Sequence, residues 1–210
     1  SSTSRGLGDV YKRQIYLVVR NGVISYQKAS GLAMFSGIVI FCFYSFIRLK
    51  EMLPVEEYGY DAIFFILLIL CFAWGGDTCA YFAGRAFGKH KLCPVVSPKK
   101  TVEGAVGGVL GTMVFGVLVT VIYSIAADRM EEFTRSNIGV SMYVIIALLA
   151  CVAAVLGIYG DLFASVVKRQ CGIKDYGTIF PGHGGILDRF DSVMFIAPFV
   201  TMVVIAAFYD

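Results

Sequence analysis

The chain has 210 residues, of which 58% are hydrophobic and only 16% are charged, and its mean hydropathy is +0.75. Soluble domains carry roughly a quarter charged residues, so this composition excludes a soluble globular protein and indicates an integral membrane protein with several spans. The formal net charge of +3 is small, and there is no basic tail or aromatic-basic stripe that would indicate a nucleic-acid partner.

The first residues differ from the rest of the chain. Residues 1–14 are polar and begin without Met, and residues 9–14 can be back-translated into a sequence that resembles a sequencing-adaptor end. We therefore expect residues 1–14 to be a non-native artefact. Residues 15–27 are apolar but short, and they are interpreted as the stump of an earlier span, which leaves residues 15–210 as one membrane-embedded domain.

Hydrophobic segments of spanning length follow at regular intervals. A transmembrane helix needs about 20 apolar residues, and the sequence predicts an all-α, polytopic membrane helical bundle with about five such helices, at residues 29–47, 61–83, 104–126, 139–163 and 190–209. The connections 84–101 and 164–189 are richer in cations than 48–60 and 127–138. By the positive-inside rule, the two cation-rich connections are predicted to face the cytoplasm.

The connection before the last span is unusually charged, with three acids and four cations within residues 165–191. Charge of this density beside membrane spans is expensive to place and usually functional. Asp188 and Asp191 are three residues apart, so on a helix they would share one face and could bind one cation. The alternative is that Asp188–Arg189 and Lys168–Asp191 are ordinary ion pairs at the membrane surface.

Two further features extend this charged segment. Asp161, Ser165 and Lys168 follow i, i+4, i+7 spacing and would form one polar stripe at the end of the preceding span. Oxygen ligands of this kind suit Mg²⁺, which favours a few carboxylates together with substrate phosphates and water. His183 lies between glycines, which suggests a backbone bent closely around a ligand, and it could donate to a phosphate oxygen or to a leaving group.

A second polar constellation surrounds the end of the second span. Asp77, Tyr81 and Arg85 have i, i+4, i+8 spacing, so they fall on one side of that helix. Residues 97–101 read Ser-Pro-Lys-Lys-Thr, a short, donor-rich turn that enters a glycine-rich helix. Backbone N–H groups at a helix N-terminus, with two ammonium groups and two hydroxyls, would make a cradle for an anion.

Together these motifs resemble those of the CDP-diacylglycerol synthases, also called phosphatidate cytidylyltransferases. Residues 165–191 follow the family pattern S-x-x-K-R-x4-K-D-x-G-x5-H-G-G-x-x-D-R-x-D, and the upstream elements D-x3-Y-x2-G-R-x2-G and S-P-K-K-T-x-E-G agree as well. Family members have additional spans at the front. The chain is therefore expected to be an N-terminally truncated member, with residues 15–210 forming the C-terminal part of the membrane-embedded cytidylyltransferase domain.

The resemblance implies a reaction and roles for residues. The reaction is transfer of CMP from CTP to phosphatidate, which gives CDP-diacylglycerol and pyrophosphate for phospholipid biosynthesis. Mg²⁺ is implied as the cofactor, held by Asp161, Asp188 and Asp191, and a second, monovalent ion such as K⁺ is left open. The implied catalytic residues are Asp188, Asp191, Asp161, Lys168, Arg189 and His183. The implied substrate-binding residues are Ser97, Lys99, Lys100, Thr101, Ser165, Arg169, Lys174, Asp77 and Asp175.

The same resemblance leads us to expect a multi-pass protein of a bacterial inner (plasma) membrane with its active site facing the cytoplasm, and it leaves a homodimer open. Two alternatives remain: a CTP-dependent polyprenol or dolichol kinase-like enzyme, and a non-enzymatic membrane transporter. The His-Gly-Gly and Asp-Arg-x-Asp pattern beside Ser-Pro-Lys-Lys-Thr favours the cytidylyltransferase. A transporter predicts acids deep inside the spans, whereas these acids are predicted near span ends on one side.

Overall fold

The computed structural model of the chain describes residues 26–129, 139–173, 175–176, 185 and 187–209. The chain divides into two compact units, residues 1–40 and residues 41–210. In the first unit the described residues are 26–40, all of them helical. The candidate site belongs to the second unit. Residues 1–14 and 15–25, interpreted from the sequence as an artefact and the stump of a span, lie outside the described residues.

The described elements are mostly long helices. In chain order they are α1 (Tyr26–Met52), α2 (Val55–Tyr58), α3 (Asp61–Phe87), β1 (Lys91–Cys93), β2 (Ser97–Thr101), α4 (Val102–Arg129), α5 (Val140–Gln170), a single 3₁₀ turn (Leu187–Arg189) and α6 (Val193–Tyr209). Four helices (α1, α3, α4 and α5) are long and apolar enough to cross a membrane, and α6 is a shorter apolar helix. The predicted helical membrane bundle is therefore confirmed.

The closest helix packing joins α3 to α4. Along α4, small residues recur at every fourth position on the buried face, at Gly104, Gly108, Thr112, Gly116 and Thr120. Small side chains at this spacing let two helix backbones approach closely. The Thr112 hydroxyl donates to the Gly108 carbonyl at 2.8 Å, and the Thr120 hydroxyl donates to Gly116 at the same distance, so both hydroxyls are satisfied within the helix.

A similar close approach joins α5 to the start of α6. A Cβ on Gly157 would lie 2.9 Å from the side chain of Ile196, and a Cβ on Gly160 would lie 2.7 Å from the carbonyl oxygen of Asp191. The two glycines therefore allow the segment that carries Asp191 to lie against α5. The helix itself runs to Gln170, beyond the predicted end of the span at residue 163.

The connection between α3 and α4 contains the two-stranded antiparallel hairpin, in which Lys91 pairs with Thr101 and Cys93 pairs with Ser97. The prediction of a simple turn at residues 97–101 was wrong, because these residues form β2. The register shifts between the two pairs, and in a two-stranded sheet both strands are edge strands, where Pro is tolerated. The hairpin places its second strand directly before α4.

The end of the bundle remote from this hairpin also contains a buried polar contact. The Tyr123 hydroxyl donates to the Asp61 carboxylate at 2.5 Å, and the Phe64 ring stacks on the Tyr123 ring with centroids 4.3 Å apart. Both polar residues are buried. This contact joins the beginning of α3 to the last turns of α4.

Candidate active site

A cavity of about 430 Å³ lies where α3, the hairpin, α4, α5 and the 3₁₀ turn meet. Its polar lining consists of carboxylates, cations and hydroxyls: Asp77, Asp161, Asp188, Asp191, Arg85, Lys99, Lys100, Tyr81 and Thr101. The remaining lining is small or apolar, with Leu92 and Ile158 among its members. The two charged constellations of the sequence, far apart along the chain, therefore face one space.

The position of this cavity follows from the chain path. The C-terminal parts of α3 and α5 and the N-terminal ends of α4 and α6 meet there, since successive spans cross in opposite directions. Asp161 lies nine residues before the end of α5, which corresponds to about 14 Å along the helix axis. The helix α5 therefore continues for more than two turns past Asp161, beyond the end predicted for it at residue 163.

Lys168 is the cation at the centre of the acidic cluster. Its Nζ lies 2.9 Å from Asp188 Oδ1 and 3.9 Å from Asp191 Oδ2. The side chains of Lys168, Asp188 and Asp191 are only 11%, 8% and 10% exposed. Because a buried charge is costly unless it is paired, this lysine and these two acids stabilise one another. One of the ion pairs considered from the sequence, Lys168–Asp191, is therefore present, with Asp188 as a closer third partner.

Asp188 lies on the 3₁₀ turn and accepts two backbone hydrogen bonds in addition to Lys168. The N–H groups of Tyr176 and Gly185 donate to its Oδ2 at 2.8 and 2.9 Å. Burial opposes ionisation of this carboxyl, but the Gly185 N–H, Lys168 and the Tyr176 N–H outweigh it and hold the pKa of Asp188 below its usual range. Both carboxylate oxygens of Asp188 therefore accept hydrogen bonds from the protein itself.

The prediction that Asp188 and Asp191 share one face of a helix was wrong. Asp188 belongs to the turn Leu187–Arg189, whereas α6 begins only at Val193. The two carboxylates converge on Lys168 because the chain turns between them. The indole N–H of Trp74 on α3 donates to the carbonyl of Arg189 at 3.0 Å, and this contact attaches the turn to the bundle.

Asp161 pairs with a cation from the other constellation. Its Oδ2 forms an ion pair with Lys100 of β2, and the Ser165 hydroxyl donates to its Oδ1 at 3.4 Å. The predicted stripe of Asp161, Ser165 and Lys168 is confirmed as one face of α5 that is directed toward the acidic cluster. The ion pair with Lys100 joins this face to the hairpin.

Asp191 and Asp77 are linked through Ser192. The Ser192 N–H donates to Asp191 Oδ1 at 2.9 Å, and the Ser192 hydroxyl donates to Asp77 Oδ2 at 3.1 Å. Burial raises the pKa of Asp191 and the Asp161 carboxylate raises it further, although Lys168 opposes both effects. Burial is thus the main reason why the Asp191 carboxyl is harder to ionise than a free aspartate.

The start of α4 is built differently from the predicted anion cradle. The Thr101 hydroxyl accepts the Gly104 N–H at 3.1 Å and so acts as the N-cap of the helix. Glu103 accepts the N–H groups of Lys89 and His90 at 3.0 and 3.2 Å and contacts the His90 ring at 2.7 Å. These bonds fix the hairpin on the helix, and the lysines rather than the capped N–H groups are directed at the cavity.

The residues expected from the sequence divide into groups. Those that line the cavity are Asp77, Lys99, Lys100, Thr101, Asp161, Asp188 and Asp191. Ser165 and Lys168 contact these acids directly. The structure does not bring the others into the lining among the described residues: Ser97 pairs with Cys93 in the hairpin, and Arg169, Asp175 and Arg189 are exposed. His183 and Lys174 lie outside the described residues.

Sequence reasoning missed three residues that shape the site. Ser192 follows Asp191 directly, and its position after an expected ligand was a usable signal. Tyr176 follows Asp175 within the motif but occupies a variable position of the pattern. Trp74 lies in an apolar span, and its contact with Arg189 crosses 115 positions of the chain, so no local signal could have identified it.

The carboxylate oxygens of this cavity are of the chemical type that binds a divalent cation. Oxygen donors suit Mg²⁺, and the raised pKa of Asp191 reflects burial together with neighbouring carboxylates. In the described parts of the chain, however, no group of three or more His, Cys, Asp or Glu side chains is arranged so that it could hold a metal ion. Lys100 and Lys168 neutralise these carboxylates in this structure.

Comparison with known proteins gives one consistent result. Residues 8–207 match the family described as the cytidylyltransferase family. The chain is 32% identical over 185 residues to a phosphatidate cytidylyltransferase of Bacillus subtilis (strain 168), which covers 88% of this chain and 61% of that protein. It is 39% identical over 145 residues to the protein of the same name from Staphylococcus haemolyticus (strain JCSC1435), covering 69% and 50%. The chain thus spans 50 to 61% of the length of these curated relatives.

Proposed function

The chain belongs to the cytidylyltransferase family, and we propose that it carries the active site of a phosphatidate cytidylyltransferase. The reaction would transfer CMP from CTP to the phosphate of phosphatidate and release pyrophosphate. The observation that supports this best is the cavity in which carboxylates from α3, α5 and the 3₁₀ turn face lysines from β2. Such a cavity suits a polyphosphate, and the apolar helices around it suit a lipid substrate.

The proposed chemistry is an in-line displacement. A phosphate oxygen of phosphatidate attacks the α-phosphorus of CTP and forms a new P–O bond. The bond from the α-phosphorus to the bridging oxygen breaks, and its electron pair leaves with pyrophosphate. Since the nucleophile is already an anion, a dedicated general base is unnecessary. The protein would contribute mainly by positioning two anions and by neutralising their charge.

Within this proposal the charged residues have separate roles. Lys99 and Lys100 line the cavity from the hairpin, where they can bind the phosphates of CTP as ammonium donors. Lys168 holds Asp188 and Asp191 in place. Thr101 and Glu103 position the two hairpin lysines, because they fasten the hairpin to α4.

Mg²⁺ is the proposed cofactor, with Asp161, Asp188 and Asp191 as the residues that would hold it. When bound, the ion would neutralise charge on the phosphates of CTP. Asp188 already accepts Lys168 and two backbone N–H groups, so Asp161 and Asp191 are the carboxylates best supported as ligands. A second, monovalent ion such as K⁺ stays a prediction.

We further propose that the cavity faces the cytoplasm of a bacterial cell, in its inner membrane. The cation-rich hairpin lies at the same end of the bundle as the cavity, and cation-rich connections favour the cytoplasmic side. CTP is soluble and cytoplasmic, so this orientation would supply the nucleotide. The homodimer left open by the family resemblance stays a prediction.

The proposed reaction is tested by supplying labelled CTP with either phosphatidate or a polyprenol to the purified protein in detergent micelles containing Mg²⁺. With CTP labelled in the cytidine, we expect label in a lipid only when phosphatidate is present, together with pyrophosphate release. Label from γ-phosphate in a polyprenol, with CDP as the second product, would instead show a CTP-dependent kinase. Absence of both products would contradict the proposal for this chain.

Asp188→Asn tests the site with a matched control. We expect this variant to lower CDP-lipid formation by about 100-fold, because it removes the carboxylate that holds Lys168 beside the phosphate-binding cavity. Asp128→Asn makes the same chemical change at the remote end of α4, where Asp128 is exposed, and should keep wild-type turnover. Equal turnover of the Asp188 variant and the control would refute the assignment of the cavity as the active site.

A further inference from the structure

Tyr176, which no motif singled out, makes three contacts within the acidic cluster. Its hydroxyl donates to the carbonyl of Ala164 on α5 at 3.0 Å. Its backbone N–H donates to Asp188 at 2.8 Å. The Lys168 ammonium lies 5.3 Å from the centre of its ring. One residue therefore contacts α5, the acid on the 3₁₀ turn and the central lysine at once.

The geometry of α5 explains how these contacts can coexist. Ala164 and Lys168 are four residues apart on one helix, so they lie one above the other on the same face. The hydroxyl of Tyr176 donates to Ala164, while its ring lies beside the ammonium of Lys168, one helical turn further along. Ala164 is fully buried, and its carbonyl oxygen has a second lone pair for the tyrosine hydroxyl.

The ring restricts a lysine that has two acidic neighbours. The Lys168 ammonium is closer to Asp188 than to Asp191, at 2.9 against 3.9 Å. A lysine side chain has four flexible carbon–carbon bonds, so both acids are within its reach. An aromatic face within about 6 Å of an ammonium attracts it electrostatically, and the ring of Tyr176 meets this condition. The ring therefore limits how the ammonium is shared between the two acids.

We propose that Tyr176 is a positioning residue, whose ring holds the Lys168 ammonium on Asp188. Its effect on turnover rests on the proposed function, because Lys168 and Asp188 matter for turnover only if the cavity is the active site. Its effect on Lys168 does not rest on that function. The two effects can therefore be measured separately.

The first measurement follows Lys168 without any enzymatic assay. The purified protein is treated with an amine-reactive reagent, and modification of Lys168 is compared with that of the exposed Lys91 by mass spectrometry. We expect Tyr176→Leu to speed modification of Lys168 about tenfold, since loss of an aromatic partner frees the ammonium. Tyr176→Phe keeps the ring and should leave the rate within about threefold of wild type. Lys91 should react equally in all three proteins.

A second substitution covers the case in which the leucine variant does not fold. Phenylalanine at position 176 is compared with a ring-fluorinated phenylalanine, which keeps the shape of the ring but weakens its negative face. We expect faster modification of Lys168 in the fluorinated protein. Equal rates with phenylalanine and its fluorinated form, or with leucine and tyrosine in folded proteins, would overturn the role of the ring.

Turnover supplies the third measurement. We expect Tyr176→Leu to lower kcat about tenfold with a smaller change in KM for CTP, because the ring acts on Lys168 and not on the nucleotide. Tyr176→Phe should retain most of the wild-type kcat. If the wild-type protein forms no CDP-lipid, the proposed function fails while the lysine measurement still decides the role of Tyr176. An unchanged kcat in a folded leucine variant would overturn the effect on catalysis.

Discussion

Lys168 illustrates how a charged residue is held within an apolar bundle. Its side chain is 11% exposed, and it contacts Asp188 and Asp191. Taking an ion out of water costs several kcal/mol, and the loss is recovered only when partners and hydrogen bonds are in place. Here two carboxylates, an aromatic ring and two backbone N–H groups on Asp188 supply them. The cluster is therefore a cooperative unit whose members depend on each other.

Removing the cation from this cluster should destabilise the fold. We expect Lys168→Gln to lower the free energy of unfolding by about 3 kcal/mol, since it leaves buried carboxylates without their cation. Thermal unfolding of the purified protein in detergent micelles measures this change. Arg169→Gln is the control, because Arg169 is the next residue on α5 and is exposed. Equal melting temperatures for the two variants would contradict the dependence on Lys168.

For individual residues, spacing along the chain predicted some side-chain contacts and could not predict others. Asp161, Ser165 and Lys168 fall on one face of a helix by spacing alone, and the structure has them there. The partner of Asp161 turned out to be Lys100, which comes from a separate strand. Spacing along a chain carries no information on which strand end packs against which helix, so this ion pair needed the structure.

At the scale of elements, the joint between α3 and α4 determines where the hairpin lysines point. α4 presents small residues to α3 at every fourth position, which lets the helices approach closely. Gly104 lies at the start of this face, near Gly84 and the Thr101 cap. The hairpin connects the end of α3 to the start of α4, where the two helices pack closely. Any widening of the joint should therefore displace Lys99 and Lys100 from the cavity.

Gly104→Ala tests this joint. The added Cβ would lie 2.8 Å from the Ala80 carbonyl oxygen and 2.9 Å from the Thr101 hydroxyl, so the helices must separate. We expect a loss of about 2 kcal/mol in the free energy of unfolding, the usual range for overpacking, measured by thermal unfolding. Gly37→Ala on α1 is the control, because a Cβ there meets no heavy atom of the described residues within 4 Å. A fully stable Gly104 variant would exclude a tight joint.

The limits of sequence reasoning are clearest for the short elements. Apolar length predicted every long helix, because a membrane span has to be long and continuous. The sequence of residues 97–101 predicts a short, donor-rich turn, yet these residues pair with β1 through an irregular register. The turn at Leu187–Arg189 was interpreted as the start of a helix. Such short elements are set by tertiary contacts, here with Trp74 and Lys168.

At the scale of the whole molecule, charge is distributed unequally between the two ends of the bundle. The cavity end carries Arg85, Lys99 and Lys100 together with the acidic cluster. The remote end carries the buried contact of Tyr123 with Asp61 and mixed charge, with the exposed Asp128 next to Arg129. This asymmetry is the basis for the proposed orientation, because cations near span ends favour the cytoplasmic side.

The orientation can be measured with single cysteines. Cys171 is exposed just beyond α5, at the cavity end. In a protein that keeps only this cysteine, we expect a membrane-impermeant maleimide to react in inside-out vesicles and not in right-side-out cells. A cysteine introduced as Asp128→Cys should show the opposite pattern, because it lies at the other end of α4. Reaction of both positions from the same side would contradict the spanning topology, and a reversed pattern would contradict the cytoplasmic orientation.

Trp74 has a practical consequence for following this protein. It is the single tryptophan of the chain, its indole N–H donates to the carbonyl of Arg189, and the Phe190 ring meets it edge-on at 6.0 Å. A ligand that displaces the 3₁₀ turn changes the surroundings of this indole. Intrinsic fluorescence therefore provides a label-free titration of nucleotide or cation, with no need to extract a lipid product.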